Sequence, residues 1–128
     1  MAQLRQDCDQ FVSRDVAVVV VGPDQLISGI VFWTGNAEAL VIGHIMLGSI
    51  LTLALFALAY QAYRAKVSPK LVLVAAVWGL GLPIWGLAQE KIFPGANNWI
   101  AQVLHLLCGV GAIGLAEMLA AQIRKKSS

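Results

Sequence analysis

The two histidines of the chain each stand four residues before a glycine inside an apolar run: His44 and Gly48 in "GHIMLGS" (43–49), His105 and Gly109 in "LHLLCGV" (104–110). An imidazole among Leu, Ile and Val must find a hydrogen bond or a metal to offset its desolvation. Placing residue 36 over residue 97 aligns Asn36 with Asn97, His44 with His105 and Gly48 with Gly109, all at one offset of 61. Each Asn is a candidate N-cap, so each His falls eight residues into the helix that follows. A residue at i+4 lies on nearly the same helix face as i, and a glycine there leaves room for whatever the imidazole holds or for a close helix.

The elements that must position these residues are membrane spans. Of the 128 residues, 59% are hydrophobic and 12% charged, against roughly 45–50% and about 25% in an average soluble domain. No polar stretch is long enough to build a separate soluble core, which argues against an attached globular enzyme. The net charge of +2, with basic residues in short clusters beside apolar runs, does not suit nucleic-acid binding. Cys8 and Cys108 do not make a disulfide framework. Ala39–Tyr60 is 22 residues without a formal charge, enough to cross a ~30 Å hydrocarbon core. Leu71–Ala88 is a second span with Pro83 inside it, and Trp99–Ile123 a third with Glu117 as its one formal charge. Val16–Thr34 is a candidate fourth, but Gly22, Pro23, Asp24 and Gln25 fall in its middle. An Asp at the centre of a span costs roughly 2.5–3.5 kcal/mol, so the alternative is an interfacial or re-entrant hairpin turning at "GPDQ". The expected fold is an all-α integral membrane helix bundle, residues 39–128, behind an N-terminal segment of residues 1–38.

Arg64, Lys66 and Lys70 follow the first span and Arg124, Lys125 and Lys126 the third, so six of the nine basic residues share one side. The positive-inside rule makes that side cytoplasmic, with the C-terminus inside a bacterial inner membrane. Tyr60 and Tyr63 at one end, and Phe93 and Trp99 at the other, suit an aromatic belt. One crossing separates the first and third spans, so they run in the same direction and place His44 and His105 at matching depth, ~12 Å below the outer boundary by helical rise.

Two imidazoles at one depth can clamp an iron porphyrin, with Gly48 and Gly109 making room for the macrocycle. They can equally be structural histidines bonded to a carbonyl or to a hydroxyl such as Ser49 or Thr52, with the small residues Ala112, Ala116 and Ala120 serving helix packing. A third reading joins Cys108 to the pair as a zinc or copper site, although a structural zinc normally takes four protein ligands. Gln102, Gln89 and Glu90 could bond a quinone or simply be solvated at the interface. Met46 points away from His44 and reads as packing. Glu117 reads as a carboxylate reaching water or a basic neighbour rather than a proton relay. Trp78 and Trp85, seven residues apart, line one stripe of the second span and suit a flat cofactor, lipid or a partner helix equally. No Walker loop, G-x-S-x-G, H-E-x-x-H or C-x-x-C occurs.

The two histidine stretches resemble the histidine-bearing helices of small bacterial cytochrome-b-like membrane bundles, over about twenty residues. The resemblance implies one haem b with His44 and His105 as its axial ligands, and an electron-transfer subunit of a respiratory or other redox assembly rather than an enzyme in its own right. The chain departs from such bundles in having two histidines rather than several. The rival expectation is a non-catalytic structural or assembly subunit, among membrane lipid and other subunits or copies of itself, whose histidines make hydrogen bonds between helices.

Overall fold

The computed structural model describes residues 1, 21–31 and 41–127. Among these the protein is all helical: α1 (residues 21–31), α2 (Val41–Arg64), α3 (Pro69–Ile92) and α4 (Asn98–Ser127), with a 3-10 turn at Gly95–Asn97 leading into α4. The last three are long and apolar enough to cross a bilayer. Each runs past the C-terminal end that its apolar window set: α2 continues to Arg64, α3 begins at Pro69 and continues to Ile92, and α4 continues to Ser127. The added turns carry Lys70, Gln89, Glu90, Lys91 and Arg124–Lys126, which a helix tolerates once it leaves hydrocarbon for the interface. Pro83 lies within α3 without ending it. Asn97 is the last residue of the 3-10 turn rather than a lone N-cap. Asn36, Cys8, and the ends of Val16–Thr34 lie outside the described residues.

A tight connection joins α2 to α3. Val67 N–H bonds the Ala62 carbonyl at 2.9 Å and Lys66 N–H bonds that of Tyr63 at 3.1 Å. These are the two bonds of a Schellman ending, which needs a left-handed residue at the position of Lys66. Lys66 supplies it with φ of 55°, and Val67 tucks its side chain into the bundle at 6% exposure. Pro69 then opens α3 at a position where a missing N–H costs nothing.

The core lies toward the basic end. Leu51, Leu55 and Leu58 of α2 meet Ala75 of α3 and Ala112, Ala116 and Leu119 of α4. The alanine stripe expected on α4 is thus buried, with Ala120 beside it, and it faces the large leucines of α2. In lipid such packing, rather than escape from water, draws helices together.

Residues 22–25 are helical, so the chain does not turn at "GPDQ". α1 runs antiparallel to α2, as the Gln25 side chain approaches Gly48 while the His44 ring approaches Gly29. It is also antiparallel to α4, with Ile113 on Gly22 and Leu26 on Gly109. Pro23 and Asp24, the residues that suggested a turn, lie on its exposed face.

Candidate functional site: a polar cluster on the histidine pair

α2 and α4 bring His44 and His105 together, with ring centroids 6.3 Å apart and planes tilted by 57°. The matching depth expected from helix direction is therefore realised, and both rings are half-buried.

Two partners of His44 come from α1. Gln25 Nε2 lies 3.1 Å from His44 Nε2, and Ser28 Oγ lies 2.8 Å from His44 Nδ1. Ser28 Oγ also donates to the Gln25 carbonyl at 2.9 Å. A hydroxyl has one proton. With that proton on the carbonyl, Ser28 can only accept from the ring, so His44 carries its proton on Nδ1 and accepts at Nε2 from the Gln25 amide. One neutral tautomer thus satisfies all three of these contacts together. Gln25 and Ser28 are three residues apart and share one face of α1. Ser49, one of the two hydroxyls expected for this role, instead donates to the Ile45 carbonyl of its own helix at 2.8 Å.

His105 is placed differently. A Cβ on Gly86 of α3 would lie 3.1 Å from its Cε1, so the imidazole lies flush against the α3 backbone. Its Nδ1 and the Oε1 of Gln25 are buried without a hydrogen-bond partner. The two glycines singled out with the histidines have unequal parts. A Cβ on Gly48 would meet Gln25 Nε2 at 2.9 Å, whereas one on Gly109 would make an ordinary contact with Leu26 at 3.8 Å.

Trp78 and Trp85 clasp α4. Their indole N–H groups donate to the carbonyls of Cys108 at 2.9 Å and Ala101 at 3.3 Å. Two donors seven residues apart on α3 meet two acceptors seven apart on α4, as antiparallel helices in one register require. Gly111 lets the Trp78 ring in, since a Cβ there would lie 2.8 Å from its Cζ2. Sequence reasoning did not single out Ser28, Gly86 and Gly111, and met Gln25 only as a polar residue inside a stretch read as a span or a hairpin. The i, i+3 spacing of Gln25 and Ser28 was the available signal.

A porphyrin between the histidines needs a free nitrogen on each ring and a slot wide enough for the macrocycle. Here both nitrogens of His44 are engaged, the Gln25 amide occupies the space beside Gly48, and the α3 backbone closes against His105. The residues as packed do not fit the group. Among the described residues no three His, Cys, Asp or Glu side chains gather, so Cys108 does not join the pair as a third metal ligand. Met46 is exposed at 61%, on the far side of α2 from the cluster, and Glu117 is exposed on α4. The chain matches no known family, no curated protein and no solved structure.

Proposed function

We propose that the protein is a non-catalytic structural or assembly subunit of a membrane complex, in which His44 joins the N-terminal helix to the bundle by hydrogen bonds. The carrying observation is the pairing of both ring nitrogens with Gln25 and Ser28. Such bonds between membrane helices contribute about 0.6 kcal/mol each on average and up to about 1.7, enough to help fix the seat of a helix that Gly22 and Gly48 let approach Ile113 and α2 closely. The outward faces support a subunit role. In an apolar 18-residue stretch of each of the three spans only 17%, 17% and 22% is buried inside the bundle, leaving broad apolar surface for lipid or other chains. The basic clusters after α2 and at the end of α4 support a bacterial inner membrane with the C-terminus in the cytoplasm.

The rival haem-binding, electron-transferring role, with or without a quinone, is separated by one spectrum. Protein purified from haem-replete cells and reduced with dithionite is expected to be colourless. A Soret band and sharp α-band that vanish in both His44→Ala and His105→Ala would overturn the structural reading.

A further inference from the structure

Asp24 occupies a place where an isolated charged carboxylate is costly. The Gln25 side chain reaches Gly48 of α2, which fixes the depth of Asp24 beside it. Gly48 is seven residues from Val41 and sixteen from Arg64 at the basic end of α2, or about 10 Å and about 24 Å along the axis. Asp24 therefore sits at hydrocarbon depth. It is nonetheless exposed, on a face of α1 that also carries Ile27 at 59% and Ile30 at 51% exposure. Carboxylates within membranes turn inward to a bundle or pair with an opposite charge, and Asp24 turns outward.

We infer that this face of α1 is the seat of a membrane helix from a different protein, one carrying a Lys or Arg that pairs with Asp24. α2, α3 and α4 of a second copy do not supply that cation: they hold no Lys or Arg between Val41 and Ala88, apart from Arg64, Lys66 and Lys70 at the basic end, nor between Asn98 and Ile123. A copy of this chain has no cation to offer at the depth of Asp24 from those spans. Ile27 and Ile30 supply apolar surface on the same face for a partner helix to pack against. The inference rests on the subunit reading above and says what kind of partner the subunit takes.

Photocrosslinking in native membranes tests it, with a photoreactive phenylalanine in place of Ile27 and a control in place of Leu87, exposed on α3. The expected result is one heteromeric product from position 27, whose partner peptide contains a Lys or Arg inside a membrane segment. Its yield should fall roughly tenfold or more in Asp24→Asn, persist in Asp24→Glu, and return when Asp24→Lys is combined with an acidic residue at the partner's cation. Circular dichroism of the purified variants separates loss of pairing from loss of fold. A product of two copies of this chain, an internal crosslink that reports Arg14 as the cation, lipid adducts alone, or a yield unchanged in Asp24→Asn would each overturn the inference. A coloured preparation with the crosslink intact removes only the structural reading of the histidines, whereas a colourless one without the crosslink removes only this partner.

Discussion

At the scale of residues, glycine decides how closely the polar side chains can meet. Gly86 and Gly111 on facing helices accept the edges of His105 and Trp78, and neither glycine was marked by the spacing of the histidines, because the ring that fills each gap comes from another helix. Gly111→Ala should therefore cost about 1–3 kcal/mol, the usual penalty for overpacking, since the rigid indole held by the Cys108 carbonyl cannot give way as a flexible chain end could. Gly114, with nothing within 4 Å, is the matched control. Gly114→Ala should be neutral or stabilising by up to about 1 kcal/mol from helix propensity. Reversible unfolding in mixed micelles compares the two, and equal effects would refute the clasp.

Among the elements, three spans were legible because an uncharged apolar run of eighteen residues or more has few other solutions. The first helix was legible only as a candidate, weighed against a hairpin. Gly22, Pro23, Asp24 and Gln25 read as a turn when taken in a row, yet on a helix they divide between faces: Pro23 and Asp24 look outward while Gln25 joins Ser28 on His44. Only a partner helix with His44 at the right height makes that division favourable, and a linear window does not contain it. The α2–α3 connection yields a sharper expectation. Lys66 holds φ of 55°, where an L-residue other than Gly pays roughly 1–2 kcal/mol. Lys66→Gly relieves that strain and should raise stability by about 1 kcal/mol in the same unfolding measurement, while Lys66→Val should lower it.

Across the whole molecule, charge sets the frame and polar contacts set the assembly. The basic ends of α2 and α4 lie on one side of the membrane by the antiparallel order of the helices. A fluorescent-protein fusion after Ser128 should accordingly glow in the cytoplasm, and an alkaline phosphatase fused there should stay inactive. The reverse pair of results would invert the topology. Within that frame the polar tie between α1 and α2 is one neutral imidazole serving as donor to Ser28 and acceptor from Gln25. Nitrogen-15 solid-state spectra of histidine-labelled protein in bilayers read this directly. His44 should show a protonated Nδ1 and an unprotonated, hydrogen-bonded Nε2, with the Nδ1 signal moving in Ser28→Ala and the Nε2 signal in Gln25→Leu. A His44 spectrum bearing the shifts of a metal-bound nitrogen, or one indifferent to both substitutions, would contradict the account.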